Sequence, residues 1–289
     1  MISKSKFSLN RILFPGGSLE EFFRLCSDIG LSKIELRNDL EGIGIIEPYA
    51  PQQVKLFSEK YGIQILTINA LQKFNLGAVL PMVLQELKEL IRLAVAIDCG
   101  AIVLVPNNDI NDKRLPEVMM KETVAALKAF GPLFEDSGIL GYVEPLGFEE
   151  CSLRSKVTAL QAIQESGCRN YKIVHDTFHH HLGPDTDDTL KYNYDIACTG
   201  LVHVSGVESK IPSKEYKDDH RIFIADRDRL KNREQLALLI KLGYDGDISF
   251  EPFAREVQRM ETEALKAAIN QCIDFISKGV FECQNKTLD

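Results

Sequence analysis

Nowhere in the 289-residue chain is there an apolar run of about 18 residues free of charge, so the sequence excludes a membrane-spanning helix. The start, Met1-Ile2-Ser3-Lys4-Ser5-Lys6, leads only into a short apolar stretch broken by Asn10 and Arg11. A secretory leader needs a longer apolar region and a small-residue cleavage site, and none is read here. Positive charge is scarce as well: 34 lysines and arginines face 42 acids, for a net charge of -8. No basic cluster of the kind that binds nucleic acid stands out, and a membrane-surface partner is equally unsupported. The seven cysteines, Cys26, Cys99, Cys151, Cys168, Cys198, Cys272 and Cys283, include no CxxC pair and no spacing of a zinc knuckle or disulfide framework. They are expected to be reduced thiols in a cytoplasmic protein. The segment Phe14-Pro15-Gly16-Gly17-Ser18 does not match the GxGxxG of a dinucleotide fold. Linkers, low-complexity stretches and breaks in composition are missing too. One domain over residues 1–282 is therefore expected, followed by a polar C-terminal tail at 283–289.

What the chain does have is a soluble balance, 45% hydrophobic and 26% charged residues, arranged in a regular alternation. Short β-branched runs fall at Phe7–Leu13, Lys33–Leu36, Gln64–Ile68, Ala101–Val105, Gly141–Glu144, Tyr171–Asp176, Gly200–Val204 and Asp247–Glu251. Amphipathic segments lie between them near 18–30, 51–62, 80–98, 116–137, 155–167, 187–197 and 231–243, with a last one near 256–278. In the segment 80–98, Leu84, Leu87, Leu90, Ile91, Leu93 and Ala94 recur at helical spacing. Gly30, Gly62, Gly100, Gly138, Gly167 and Gly243 follow such segments, where a left-handed cap turns the chain into the next strand. Eight strand-helix units in a chain of this length predict an α/β fold, a single (β/α)8 TIM barrel.

In such a barrel the carboxyl ends of the strands face the active site. The last four strands end on acids or histidine: Tyr142-Val143-Glu144, Ile173-Val174-His175-Asp176, Leu201-Val202-His203 and Ile248-Ser249-Phe250-Glu251. Any one of these could be a hydrogen-bonded core group. Together they read as a metal set, because buried charge next to apolar strand residues is costly unless compensated. Three carboxylates and a neutral imidazole around one divalent ion leave a net charge of about -1, and this donor set suits Mn, Co, Zn or Mg alike.

These residues, with Leu66-Thr67-Ile68-Asn69-Ala70-Leu71, Phe74-Asn75, Glu144-Pro145-Leu146-Gly147, Cys151-Ser152-Leu153, Asp176-Thr177-Phe178-His179-His180-His181 and Phe250-Glu251-Pro252-Phe253, carry a resemblance. From about residue 7 to about 278 the chain resembles the xylose-isomerase-like barrels. That family includes ketose 3-epimerases, hydroxypyruvate isomerase, endonuclease IV and the 2-keto-myo-inositol (inosose) isomerases, and the likeness is strongest to the last. The resemblance implies one divalent metal ion held by Glu144, Asp176, His203 and Glu251. It implies conversion of 2-keto-myo-inositol to 1-keto-D-chiro-inositol through an enediolate, as a step of inositol catabolism. A ketose 3-epimerase or hydroxypyruvate isomerase is the alternative, and an endonuclease IV-like repair enzyme a remote one.

In the implied mechanism Glu144 and Glu251 are ligands and also the acid/base pair that moves the proton. Asp176 and His203 mainly hold the ion. The family pattern Asp-x-x-His points to His179 as a substrate contact and leaves His180 and His181 at the surface or rim. Glu150 falls six residues after Glu144, where the epimerases place a substrate-contacting acid, though Glu149 beside it blurs the register. The arginine expected after the metal histidine is Arg221, with Arg227 second, and the usual proline-glycine turn after it is missing. Asn69 is a further substrate-binding candidate, and Asn10 and Arg37 end earlier strands as hydroxyl binders or simple loop caps. Phe74, Phe178 and Phe253 are wall candidates for an uncharged polyol or ketose. No nucleic acid or membrane partner is implied, and a homo-oligomer is compatible with the sequence.

Overall fold

The alternation of β-branched runs and capped amphipathic segments produces a closed ring of parallel strands surrounded by helices. In the computed structural model, which describes residues 2–286, the strands follow chain order around the barrel: β1 Phe7–Asn10, β2 Lys33–Arg37, β3 Gln64–Leu71, β4 Ala101–Leu104, β5 Leu140–Val143, β6 Tyr171–Asp176, β7 Thr199–Val204 and β8 Asp247–Phe250. The helices are α1 Leu19–Asp28, α2 Pro51–Tyr61, α3 Leu80–Ala96, α4 Pro116–Ser137, α5 Lys156–Ser166, α6 Thr177–Leu182, α7 Asp187–Asn193, α8 Asn232–Lys241, α9 Arg255–Gln258 and α10 Thr262–Lys286. This is a (β/α)8 TIM barrel.

The start and stop signals act as their chemistry requires. Ser18 and Glu21 form a reciprocal capping box at the head of α1, and proline occupies the first position of α2 and α4, where its missing N–H costs nothing. Gly30, Gly62, Gly138, Gly167 and Gly243 adopt positive φ after helices, but Gly100 does not. There the left-handed residue is Asp98, two positions earlier. An aspartate tolerates that conformation better than most side chains, so the chain turns before reaching the glycine.

The chain divides into two compact units, one of residues up to Ile65 and from Val202 onward, the other Leu66–Leu201. In the first, β1 pairs with β2 through Leu9↔Ile34 and with β8 through Phe7↔Ile248 and Leu9↔Phe250. Phe7 and Phe250 stack at 5.5 Å in its core. In the second, β4, β5 and β6 pair in order, and Ala70, Val103, Val174 and Leu201 form a buried cluster against Tyr142. Strand side chains alternate, so Val174 in this cluster places Asp176, two residues on, on the same side of β6.

Differences from the sequence expectation are local. β1 ends at Asn10 instead of Leu13, because the Asn10 side chain accepts the Ile12 N–H at 3.1 Å and starts a short 3-10 turn. α6, absent from the expected pattern, is a six-residue helix too short to show periodicity. The Asp176 carboxylate initiates it by accepting the N–H groups of Phe178 and His179 at 2.6 and 3.1 Å. The last helical segment divides into α9 and α10, and α10 continues the backbone as helix through Lys286, across the start of the stretch expected as a tail. The remainder of that stretch, 287–289, lies outside the described residues. The seven cysteines are free, and no helix among the described residues is long and apolar enough to cross a membrane.

Candidate metal centre

Within the first unit, strand alternation sets out a polar cluster. In β2 the sequence Ile34-Glu35-Leu36-Arg37 puts Glu35 and Arg37 on one side of the strand and the two aliphatic residues on the other. Glu35 is fully buried, and its Oε2 lies 3.1 Å from Nε2 of His203. Burial raises the carboxyl pKa, but His203 outweighs burial and holds it below its ordinary value. An ionised carboxylate can only accept, so Nε2–H donates to Glu35. It is the imidazolium, with Nδ1–H facing Glu251, that lowers both carboxyls, and a bound cation would take the place of the proton on Nδ1. That nitrogen is 3.3 Å from Oε2 of Glu251. With that proton displaced, the two atoms stand as neighbouring ligands of a cation do, and a carboxylate behind the imidazole is the usual partner of a metal-binding histidine.

Glu251 follows β8 and is held on both oxygens. Oε1 accepts from Arg37 Nη1 at 2.7 Å and Asn10 Nδ2 at 3.2 Å, and Oε2 accepts from Arg221 Nη2 at 2.9 Å. Burial again pushes the carboxyl up, but His203, Arg221 and Arg37 together keep it well below the usual carboxylate range. Both guanidinium groups also lie over the ring of Phe253, Arg37 at 5.0 Å and Arg221 at 4.7 Å from its centre. Arg221 is fully buried and bonds Ser205 and Asp218 as well. Arg227, the second choice from sequence, is exposed and paired with Glu208. Phe253 touches guanidinium groups on its ring, while the other two wall candidates, Phe74 and Phe178, are wholly buried.

Within the second unit, Glu144 follows β5 and Asp176 ends β6, both buried. Asp176 uses Oδ1 to cap α6, which leaves its second oxygen outside those two bonds. The cap fixes His179 one turn along, buried with its ring edge-on to Phe148 at 5.1 Å and Phe178 at 5.3 Å. Its Nδ1 is buried and has no hydrogen-bond partner among the described residues. Gly147 permits this packing: a Cβ there would sit 2.3 Å from the His179 carbonyl oxygen, closer than any side chain tolerates. His180 departs from its expected place at the rim. It is buried, with Nδ1 accepting from Lys156 Nζ at 3.1 Å and its ring 4.9 Å from His175, because the short helix turns it inward. His181 is half-buried. Burial, then Lys156, His175 and His181, push the His180 pKa far below its ordinary value.

Asn69, in β3, is buried and donates Nδ2 to Thr67 Oγ1 at 2.9 Å. Glu150 is half-buried in the loop after β5 and Glu149 beside it is exposed. The Phe74-Asn75 and Cys151-Ser152-Leu153 segments meet: Asn75 Oδ1 accepts from Ser152 Oγ at 3.0 Å and from the Asn107 N–H at 2.8 Å.

The four strand-end residues named from sequence come together. Ligand atoms of Glu144, Asp176, His203 and Glu251 lie within 4.8 Å of one another, and all four residues are buried. Three buried carboxylates so close repel one another, and a divalent ion relieves that repulsion using donors suited to it. The residues fit the group. Sequence reasoning missed Glu35 and the engagement of Arg37 with Glu251. The signal available was two oppositely charged residues at i and i+2 inside a strand with aliphatic neighbours.

Residues 23–276 match the family described as xylose isomerase-like TIM barrel. An inosose isomerase of Halalkalibacterium halodurans is 24% identical over 257 residues, 88% of this chain and 89% of that protein. Among solved structures, a xylose isomerase domain containing protein from Salmonella typhimurium LT2 is 37% identical with a TM-score of 0.89, covering 96% of this chain and 98% of that one. The IOLI protein, solved with a zinc atom, is 21% identical with a TM-score of 0.86 over 94% of this chain and 98% of its own, a likeness of fold.

Proposed function

The chain belongs to the xylose isomerase-like TIM-barrel family, and from that membership we propose an isomerase that interconverts 2-keto-myo-inositol and 1-keto-D-chiro-inositol. At the coarser level it is a metal-dependent enzyme of the sugar isomerase and epimerase type. The observation that carries this reading is the convergence of four buried donors, three carboxylates and an imidazole. Support for the keto-inositol comes from the likeness to the inosose isomerase of Halalkalibacterium halodurans. Zinc in the IOLI structure supports one divalent ion, with Mn2+, Co2+ and Mg2+ as the other candidates.

When bound, that ion supplies Lewis-acid polarisation of a substrate carbonyl. The chain's own groups then handle the proton. Arg37 and Arg221 keep Glu251 ionised at neutral pH, the state a proton acceptor needs, at the expense of basicity. In this reading Glu144 is its partner, returning a proton to the former carbonyl carbon. Arg221 is the arginine assigned to substrate: it is buried beside Glu251 and bonds it at 2.9 Å. His179 is the hydroxyl contact set by α6, with Asn69 and Glu150 as further partners.

The test is turnover of 2-keto-myo-inositol, ketohexoses and hydroxypyruvate by purified protein, with and without EDTA and Mn2+. EDTA-sensitive turnover highest for 2-keto-myo-inositol is expected. A preference of more than about tenfold for an open-chain ketohexose, about 1.4 kcal/mol of discrimination, would assign the same site to an epimerase.

A further inference from the structure

The end of β2 supplies a guanidinium that has no role in the chemistry above beyond its charge and is nevertheless buried against Glu251. Arg37 is anchored from behind by Asp39, Nε to Oδ1 at 2.7 Å and Nη2 to Oδ2 at 2.6 Å, a two-pronged bond that fixes the plane of the fork. The remaining nitrogen, Nη1, donates to Glu251 Oε1 at 2.7 Å and to Asn10 Oδ1 at 3.2 Å. Asn10 closes the ring by donating Nδ2 to the same Glu251 oxygen. Oε1 thus accepts two hydrogen bonds, about the capacity of one carboxylate oxygen. Oε2 accepts one from Arg221 and faces His203 Nδ1 with its other side. Phe253 lies under both guanidinium planes and restricts their tilt.

We propose that Arg37 is a positioning residue for the metal centre: by saturating Oε1 it orients the Glu251 carboxylate so that Oε2 is the oxygen offered to a divalent ion beside His203. The proposal rests on the reading of Glu144, Asp176, His203 and Glu251 as a metal site. Four of the five N–H groups of Arg37 are committed to Asp39, Asn10 and Glu251, and its proposed action is through Glu251. Its charge works against its geometry. A cation bonded to a ligand carboxylate repels a metal ion, so on charge alone the site would bind metal better without it. Retention of a buried arginine there makes sense if orientation is the larger effect, since partners that orient a ligand are typically worth about 10–100-fold in metal affinity.

The experiment is a Co2+ titration of the full-length protein followed by the visible absorption of the bound ion, with affinities from competition against a chelator. Wild type is compared with Arg37→Met, Arg37→Lys and Phe253→Leu, and thermal melts confirm that each is folded. The expected result is Co2+ binding weakened about tenfold or more in both Arg37 variants, with an altered band shape. Lysine keeps the charge but cannot bridge Asp39 and Glu251. Phe253→Leu, which changes no charge, is expected to weaken binding in the same direction by a smaller factor, and serves if Arg37→Met does not fold. Affinity that rises in Arg37→Met and is unchanged in Arg37→Lys and Phe253→Leu would show that only charge matters and overturn the proposal. Absence of Co2+ binding in wild type would overturn the metal reading and the proposal with it, whereas binding that all variants share at equal strength overturns the proposal alone.

Discussion

Glu35 Oε2 accepts from His203 Nε2 at 3.1 Å, and both residues are wholly buried. The pair decides which nitrogen of the imidazole keeps a lone pair. Glu35→Gln offers an amide that can donate to Nε2 instead, which moves the ring proton to Nδ1 and blocks the donor. Metal affinity is expected to fall about 10–100-fold, read by chelator competition. Unchanged affinity would reduce Glu35 to a packing partner.

Asp176 serves both the α6 cap and the donor quartet, and Asp176→Asn separates the two. The amide oxygen still accepts the N–H groups of Phe178 and His179, so α6 persists, while the anionic donor is lost. Metal content by elemental analysis is expected to drop. Full metal content with full activity would remove Asp176 from the ligand set.

Turnover is expected to depend on both flanking glutamates. Glu144→Gln and Glu251→Gln each remove a proton carrier and should lower kcat by about 10²–10⁴-fold. Solvent deuterium should enter the carbon beside the carbonyl during wild-type turnover. A near-normal rate in either variant excludes that residue as acid or base.

His179→Ala tests the substrate contact apart from the metal. KM should rise or kcat fall while metal content stays at the wild-type level, because His179 is outside the quartet. An uncharged keto-inositol should be turned over with a kcat/KM well above that of any phosphorylated ketose. Preference for a sugar phosphate contradicts this reading of the pocket.

Lys156 gives a pH signature in stability. It is fully buried, and burial pushes its pKa down to about 8 despite Asp185 at 3.6 Å. The unfolded lysine titrates near about 10.4. Between these values the unfolded chain holds the proton and the folded chain does not, so this group makes stability rise with pH. Urea unfolding of wild type and Lys156→Met at about pH 7.5 and about pH 10 should show the difference moving in favour of wild type, by at most about 1.4 kcal/mol per pH unit. A difference independent of pH means that the folded lysine titrates normally.

The sequence by itself determined the barrel and the order of its strands, because β-branched runs, helix caps and strand ends are local features that each segment expresses alone. It also determined Glu144, Asp176, His203 and Glu251 as the acids and histidine that end the last four strands, since alternation puts such a residue two positions beyond a barrel-core side chain, as with Val174 and Asp176. What surrounds those residues was decided by tertiary structure. The engagement of Glu35 with His203 spans 168 positions and that of Arg37 with Glu251 spans 214, and no local pattern encodes a contact between groups so far apart in sequence. The same holds for His180, whose place beside Lys156 depends on a helix of only six residues. Helix α6, by contrast, starts from a local cap, the Asp176 carboxylate accepting the N–H groups two and three residues on.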